Sequence, residues 1–416
     1  MIFSGAWGFE RHRMLFPALL GFLGFGWAAW LIALARFRGV MRAVRRFPSR
    51  APDPPRWPRV SIVVPARNEE AQIGAALESL ANLDYPDYEV IVVDDGSTDR
   101  TAQIVRAAAE RRSRIRLVPA PDLPEGWLGK CHALHYGASL ASGHWIVFAD
   151  ADVRHDPASI RRAVAIAEAE RVDFLFLLPR LQVLGPAEQM AIPLAFFLAL
   201  SGLSLRRLRD PQADLAFGGG AFNMVRASVY RAAGGHEPIR QAIIDDVMLA
   251  VHMKLQGFAI GAADGRELLR VRLYDSLRAT VSGLRKNFYA AVRSAGAVSV
   301  LAAPILIGAF IAPLPALAAA AIWGKGPIAA AVALLAAPLY LAASLGLRAT
   351  EALIERRPIY DFAHPIGACL LLFIGALSAF DALARRQMRW RGRVYAGAAK
   401  AIGRQSILPP QSGSKP

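Results

Sequence analysis

Two aspartates, Asp150 and Asp152, follow an apolar run in the stretch HWIVFADADV and are separated by one alanine. Side chains alternate across a β-strand, so an Asp-x-Asp pair at a strand end would direct both carboxylates to one side. Two such carboxylates repel each other unless a cation lies between them, and Mg²⁺ and Mn²⁺ prefer oxygen ligands. The pattern therefore predicts a divalent metal site, with a solvated acidic turn as the alternative.

Two further acid pairs follow apolar runs: Asp94 and Asp95 in VVDDGSTD, and Asp245 and Asp246 in IIDDVMLA. A carboxylate can accept hydrogen bonds from the hydroxyl and N–H groups of a ligand, or take a proton from a reacting hydroxyl. The alternatives are structural. DDGSTD could form an Asx-type turn, and the second pair could interact favourably with the dipole of a helix that begins there.

Lys130 follows Gly129 in GWLGKCHAL, in a loop that is predicted to enter a helix. A cation opposes the dipole at a helix start, which favours a role in contacting a phosphate or ribose. His132 and His135 are three residues apart, but with no third ligand nearby in sequence we interpret them as part of a helix face. The glycines of FGGG, residues 218–220, would let the backbone approach a ligand closely, or would form a bare turn.

The elements that must position these residues read as an α/β domain. Four apolar runs, each followed by an acidic turn or a helix-like stretch, are typical of strands in a parallel sheet covered on both faces. Ligands on such sheets bind beyond the carboxyl ends of the strands. The loops 65–69, 94–99 and 150–152 would therefore converge on one cleft.

The chain as a whole is too apolar for a plain soluble protein, since 54% of its residues are hydrophobic and its mean hydropathy is +0.31. About 20 apolar residues span a bilayer, and 14–35, 294–324 and 326–347 are uncharged runs of that length. The shorter apolar run 362–380 could cross or lie in the interface. The sequence therefore predicts a membrane protein with several passes.

The formal charge of +16 is concentrated in two places: residues 36–59 hold eight arginines and one acid, and residues 385–416 hold eight Lys or Arg and no acid. Both blocks border apolar segments, as is usual on the cytoplasmic side of a membrane. A nucleic-acid-binding protein would instead carry its charge on a folded face. We therefore expect no nucleic-acid partner.

These patterns predict five parts: an N-terminal membrane anchor (1–35), a basic, proline-rich linker (36–59), a catalytic domain (60–293), C-terminal transmembrane or interfacial segments (294–384) and a basic tail (385–416). The catalytic domain and, by preference, the tail would lie on the cytoplasmic side. The two cysteines are too few for a disulfide framework.

Five motifs, VVPARNEE, VVDDGSTD, GWLGKCHAL, FADADV and IIDDVMLA, occur in an order that resembles the family 2 glycosyltransferases of the GT-A fold. The resemblance covers Val60 to about Ala290. It implies a nucleotide-sugar donor, expected to be a UDP-sugar, and a Mg²⁺ or Mn²⁺ ion bound by Asp150 and Asp152, with Asp152 the more direct ligand.

The resemblance also implies the remaining roles. Asp246 would be the general base, with Asp245 beside it, and His236 would be a candidate contact for the acceptor. The residues implied in nucleotide-sugar binding are Glu69, Asp94, Asp95, Lys130, Asp150, Gly219 and Gly220.

SGLRKNFYA, at 282–290, lacks the Arg-Trp that chain-extending synthases carry before their C-terminal membrane helices. The chain is more similar to bacterial glycosyltransferases associated with hopanoids and carotenoids. The resemblance thus implies transfer of a single sugar, with inversion, to a lipid hydroxyl (hopanoid, carotenoid or ceramide-like) at a bacterial inner membrane. The alternatives are a polyprenyl-phosphate glycosyltransferase, a polysaccharide synthase, or a membrane scaffold with an inactive domain.

An apolar stretch, 185–211, lies inside the predicted catalytic domain and ends in basic residues. It could be a buried helix, or it could lie in the membrane interface with its arginines toward headgroups, which is the interpretation we favour.

Overall fold

The computed structural model describes residues 4–274, 276–295, 302–323, 326–384, 388–390 and 393–395. Within them the chain forms two compact units. The sheet unit contains residues 43–182 and 204–273, and the helical unit contains residues up to 42, 183–203 and 274–382. The C-terminal positions 396–416, most of the predicted basic tail, lie outside the described residues.

The sheet unit is α/β, as predicted. Its strands are β1 (Val60–Ala66), β2 (Tyr88–Asp94), β3 (Ile115–Pro119), β4 (Trp145–Phe148), β5 (Val153–His155), β6 (Phe174–Leu178), β7 (Arg180–Gln182), β8 (Asn223–Arg226), β9 (Ile260–Asp264) and β10 (Leu269–Arg272). Seven of them form one sheet in the order β3-β2-β1-β4-β8-β6-β9, and β7, β10 and β5 pair with one another in a second. In the large sheet β8 alone runs antiparallel to its neighbours β4 and β6.

Helices cover this sheet because its strands are apolar on both faces. Every residue of β1 is buried, and so is every residue of β4. The helices of the unit are α2 (Ile73–Ala81), α3 (Thr101–Arg111), α4 (Gly129–Ser139), α5 (Ser159–Ala169), α7 (Leu205–Arg209), α8 (Ala227–Ala232) and α9 (Asp245–Leu255). Since β2, β1 and β4 are parallel, their carboxyl ends share one edge, and the loops that follow them meet there.

The helical unit contains α1 (Ser4–Val44), α6 (Pro186–Gly202), α10 (Leu277–Ala295), α11 (Ala302–Ile305), α12 (Pro313–Trp323), α13 (Pro327–Leu347), α14 (His364–Leu383) and the short strand β11 (Ile354–Glu355). Three helical stretches in the described part of the chain are long and apolar enough to cross a membrane: Phe16–Val44, Pro327–Ala352 and Pro358–Leu383. Ala303–Ile311 and Pro313–Trp323 would form a fourth only as a pair, which bends by 48°.

This result bears on two expectations for the C-terminal membrane segments. The run 294–324 was predicted to be long enough to span; its residues 303–323 form the bent pair, whose break directly precedes Pro313, and a proline can kink or break a helix. The run 362–380 was uncertain, but the preceding residues from Pro358 extend its helical stretch to 26 residues. Counting uncharged residues missed both features, because it does not detect where a helix bends or how far it continues past a charge.

Helix α6 packs inside the helical unit. Phe197 is fully buried between Trp30 and Phe37 of α1, with ring centroids 5.2 and 5.0 Å away. The Arg36 guanidinium donates to the Ser201 and Gly202 carbonyls at 2.6 and 3.2 Å, so it satisfies orphan carbonyls at the C-terminus of α6. The buried face predicted for this stretch exists. A location at the membrane interface stays a prediction.

The predicted linker is structured in both halves. Arg36–Val44 continues α1, and Phe47 packs edge-on against Phe217 with ring centroids 5.3 Å apart. Trp57 packs against Tyr85 at 5.6 Å, and Arg161 lies over its ring at 4.6 Å. Tertiary packing therefore fixes a segment whose prolines alone suggested a spacer.

A hairpin of β12 (Met388–Trp390) and β13 (Arg393–Tyr395) follows α14, and its strands pair antiparallel.

Candidate active site

The loops after β1 and β2 are bonded to each other. The Arg67 guanidinium donates to the carbonyl oxygens of Asp95 and Gly96. The Glu69 backbone N–H donates to the hydroxyl of Thr101, the first residue of α3, at 2.7 Å. This bond holds the loop after β1 against that helix. Side chains that bond to backbone in this way hold loops without regular secondary structure. The position of Glu69, which is predicted to contact the nucleotide, is therefore fixed by the hydrogen bond from its backbone N–H to Thr101.

Asp94 and Asp95 end β2 in different environments. The Asp94 carboxylate accepts from the Ser97 backbone N–H at 3.2 Å, which is the Asx-type turn predicted as the alternative. Asp95 is 5% exposed, and its backbone N–H donates to the Ala66 carbonyl at 2.8 Å. Asp94 can form this turn and still contact a nucleotide. The role of both acids in nucleotide binding stays a prediction.

Asp150 and Asp152 lie beyond their strand. β4 ends at Phe148, and Asp152 is in the turn that leads to β5. The argument from strand alternation is therefore wrong, because alternation applies only within a strand. Asp150 is instead oriented by its backbone, whose N–H donates to the Gly220 carbonyl at 2.9 Å.

Helix α4 begins at Gly129, so Lys130 lies at a helix start, as the sequence predicted. Its ammonium nitrogen is 2.8 Å from Asp150 Oδ1 and 3.5 Å from Asp245 Oδ1. The Leu128 N–H, just before the helix, donates to the Arg240 carbonyl at 2.9 Å. Lys130 thus joins the acid after β4 to the acid at the start of α9.

Asp245 and Asp246 are the first two residues of α9. Asp245 is 4% exposed, whereas Asp246 is only half-buried. Asp246 Oδ1 accepts from the Val247 N–H at 2.9 Å, which orients the carboxylate at the helix start. Both acids therefore lie at a helix N-terminus, where the helix dipole favours them, as the alternative interpretation predicted. Asp245 is in addition paired with Lys130.

The glycines at 218–220 lie between these acids. A Cβ on Gly218 would come within 2.7 Å of the Asp246 carbonyl oxygen, and one on Gly220 within 2.1 Å of Asp150 Oδ2. A Cβ on Gly219 would be 2.9 Å from the Phe176 ring. Packing against backbone therefore favours glycine at 218, and a side chain at 219 or 220 would force Phe176 or the Asp150 carboxylate to shift. A contact of Gly219 or Gly220 with the sugar stays a prediction.

Asn223, at the start of β8, is a site residue that the sequence did not reveal. It is 2% exposed, and its amide nitrogen donates to the Asp246 carbonyl at 3.1 Å, while its Oδ1 accepts from the Gly219 N–H at 3.3 Å. Asn223 thereby ties the glycine loop to α9. A lone asparagine after a glycine run has no distinctive spacing, so the sequence carried no signal for it.

The charges of the site act mainly on Lys130. Burial alone would lower the pKa of its ammonium, but the carboxylates of Asp150, Asp245 and Asp246 outweigh that effect and raise the pKa well above its usual value. Lys130 is therefore cationic at any physiological pH. The adjacent Cys131 is buried, and burial raises the pKa of its thiol, so it is not a reactive nucleophile.

The histidines of the region are structural. His132 and His135 contact the Trp127 ring, at centroid distances of 5.7 and 5.1 Å. His236 is 1% exposed, and its Nδ1 is 2.6 Å from the Tyr230 hydroxyl. Burial lowers the pKa of His236 to about 3. The proposal of His236 as an acceptor contact is therefore wrong, because its ring is enclosed by protein.

A divalent cation fits the donors near Asp150 and Asp152. Among the described residues no group of three or more His, Cys, Asp or Glu side chains is arranged to hold a metal. Mg²⁺ characteristically takes one or two carboxylates, and substrate phosphates and water complete its coordination. The two acids match that requirement, and the Asp150 backbone is held by its hydrogen bond to the Gly220 carbonyl.

Comparison with known proteins identifies relatives of this chain. The family model described as glycosyl transferase family 2 matches residues 61–232. The chain is 26% identical over 232 residues to a 4,4'-diaponeurosporenoate glycosyltransferase of Staphylococcus haemolyticus, which covers 55% of this chain and 60% of that protein. A Staphylococcus aureus protein of the same name is 27% identical over 220 residues, covering 52% and 54%. The chain thus matches little more than half the length of these relatives.

A solved structure, the mannosyltransferase PcManGT from Pyrobaculum calidifontis in complex with GDP-Man and Mn²⁺, superimposes with a TM-score of 0.52 and 22% identity. The superposition covers 88% of this chain and 99% of that one. At this identity the likeness establishes the fold, which is that of the GT-A glycosyltransferases.

Proposed function

We propose that the chain is a membrane-bound hexosyltransferase that moves one sugar from a nucleotide diphosphate sugar to a lipid hydroxyl, with inversion. The match of residues 61–232 to the glycosyl transferase family 2 model and the likeness of the fold support this proposal. The observation that carries the proposal is the meeting of Asp150 and Asp245 at the Lys130 ammonium. This contact brings Asp150, proposed to act at the leaving group, and Asp245, which lies beside the proposed general base, into one site.

The donor would be held by the loops after β1, β2 and β4. Glu69, Asp94 and Asp95 lie at the shared edge of the sheet, where ligands of parallel sheets bind. Asp150 and Asp152 would hold Mg²⁺ or Mn²⁺, which neutralises charge on the departing diphosphate when bound. The Lys130 ammonium provides a second positive charge on the same side of the site.

Asp246 is the better candidate for the general base. Asp245 is nearly enclosed and paired with Lys130, whereas Asp246 is half-buried and retains access to solvent. The Val247 N–H fixes the orientation of the Asp246 carboxylate, and Asn223 fixes the backbone beneath it. A base held in this way would take the proton of an acceptor hydroxyl as the oxygen attacks the sugar.

Two observations support a lipid acceptor. The relatives' name, 4,4'-diaponeurosporenoate glycosyltransferase, describes enzymes that act on a carotenoid acid. Three helical stretches of this chain are long and apolar enough to span a membrane. A carboxylate acceptor, unlike a hydroxyl, is already ionised at neutral pH and would need no base. The effect of removing Asp246 therefore distinguishes a hydroxyl acceptor from an anionic one.

The proposal is tested with membrane fractions containing the protein, extracted lipids and radiolabelled UDP-glucose, UDP-N-acetylglucosamine or GDP-mannose. We expect label to enter an organic-soluble product with one of these donors. EDTA should abolish the transfer, and Mg²⁺ or Mn²⁺ should restore it. Full activity in EDTA would remove the metal from the proposal.

Asp246→Asn is the decisive variant. It should lower turnover about 10²- to 10⁴-fold, the usual contribution of a general base, while nucleotide binding persists. Asp87→Asn is the matched control, since Asp87 is an exposed partner of Arg59 at 3.5 Å. Retained turnover would assign an anionic acceptor, such as a polyprenyl phosphate or a carboxylate. Nucleotide binding without turnover in the wild type would favour the scaffold.

A further inference from the structure

The Lys130 ammonium contacts a carboxylate oxygen of Asp150 that could serve as a metal ligand. Its nitrogen is 2.8 Å from Asp150 Oδ1. The other oxygen, Oδ2, faces Gly220 so closely that a Cβ there would be 2.1 Å away. The Asp150 side chain is 34% exposed, and the Lys130 ammonium already covers Oδ1, one of the two oxygens with which this carboxylate could bind a cation.

Lys130 also has a second carboxylate partner within reach. Asp245 Oδ1 lies 3.5 Å from the ammonium on its other side, and the Asp245 side chain is only 6% exposed. The Lys130 side chain is 37% exposed, so it is not locked by packing. A small rotation of a lysine side chain, which is flexible and ends in three donors, can exchange one of these partners for the other or for a phosphate.

The charges around Lys130 indicate what would drive it to change partners. Asp150, Asp245 and Asp246 bring three carboxylates close to a single lysine. A nucleotide diphosphate is itself an anion and would be repelled by such a site. A divalent cation at Asp150 would both reduce the negative charge and release the ammonium for the incoming phosphates.

We propose that Lys130 is a built-in counter-ion that holds the metal position at Asp150 until a divalent cation displaces it, and that the released ammonium then pairs with the donor's diphosphate. The inference rests on the proposed function and deepens it. It makes the binding of metal and of nucleotide mutually favourable, and such coupling must be reciprocal. Lys130 is in this respect a positioning residue whose partner changes between the two states.

The experiment measures Mn²⁺ binding to the full chain in detergent by electron paramagnetic resonance, without nucleotide. Lys130→Met removes the ammonium at similar side-chain length. We expect Mn²⁺ to bind about three- to tenfold more tightly to this variant than to the wild type, since an ion pair no longer competes. Arg162→Gln, which removes a cation paired with exposed Glu267 at 3.7 Å, is the control and should leave Mn²⁺ affinity unchanged.

Two further arms separate direct competition from general electrostatics. At about 1 M salt, where the screening length is near 3 Å, the gain in Mn²⁺ affinity should persist if the ammonium contacts Asp150 and disappear if it acts at long range. With saturating Mn²⁺, UDP or GDP should bind about tenfold more weakly to Lys130→Met than to the wild type.

Unchanged or weaker Mn²⁺ binding by Lys130→Met, or a gain that high salt removes, would overturn the proposal. These outcomes are independent of turnover. A wild type that binds no Mn²⁺ at all would instead count against the metal in the proposed function, so the two failures are distinguishable.

Discussion

At the scale of single residues, Gly220 is the position where the smallest change should have the largest effect. An added methyl group would come 2.1 Å from Asp150 Oδ2, far inside van der Waals contact. Gly220→Ala should therefore rotate the Asp150 carboxylate, weaken Mn²⁺ binding and lower turnover by at least tenfold. Mn²⁺ titration and the transfer assay would measure both effects.

The control for this substitution is Gly74→Ala in α2, where a Cβ would lie 3.6 Å from its nearest neighbour, an ordinary contact. Since alanine is the better helix former, this variant should be stable and active. Normal Mn²⁺ binding by Gly220→Ala would show that the Asp150 carboxylate does not depend on the glycine for its orientation.

The sequence revealed residues with distinctive chemistry and missed those with ordinary packing roles. The acid pairs and Lys130 were recognisable because charges after apolar runs are costly without a function. Asn223 was not, because only the tertiary fold brings its amide to Gly219 and Asp246. His236 was misjudged for the same reason, since the sequence does not show that Tyr230 and Phe148 enclose it.

At the scale of elements, Lys254 connects helix α9 to the segment that precedes the glycine loop. Lys254 is 8% exposed, and its ammonium donates to the carbonyls of Arg207, Leu208 and Leu215, at 3.1, 3.1 and 2.8 Å. Lys254→Met would leave these carbonyls without their donor. The free energy of unfolding of the sheet unit should fall by about 2 kcal/mol, a typical cost of unsatisfied buried groups.

Thermal unfolding followed by intrinsic fluorescence would measure this loss. Arg100→Gln is a suitable comparison, because Arg100 forms an exposed ion pair with Glu70 at 3.2 Å and such pairs contribute little. Equal melting temperatures for Lys254→Met and the wild type would mean that the three contacts do not stabilise the fold.

The identity of the elements was largely predictable, whereas their ends were not. Apolar runs indicated β1, β2, β4 and β6, and the parallel order followed from the helices between them. The end of β4 at Phe148 and the bend before Pro313 depend on neighbouring elements. Antiparallel β8, which follows a long excursion of the chain, had no signal of its own in the sequence.

At the scale of the whole molecule, the number of membrane crossings determines the side on which the tail lies. If α13 and α14 both cross and the bent pair re-enters, the tail returns to the side of the sheet unit. The eight basic residues and no acid in 385–416 favour that cytoplasmic location. A cysteine at Ser412→Cys should therefore resist an impermeant thiol reagent in intact cells. Labelling from outside would show that the bent pair spans.

The excursion of residues 183–203 into the helical unit links the order of synthesis to the order of assembly. The ribosome delivers β1 to β7 first, then the apolar helix α6, and only afterwards β8, which pairs between β4 and β6 in the middle of the sheet. β8 therefore cannot enter the sheet until α6 has been synthesised. A shortened chain that keeps residues 43–273 but lacks α1 and α10–α14 would leave Phe197 without Trp30 and Phe37, and we expect that such a chain aggregates unless α6 is replaced by a short polar loop.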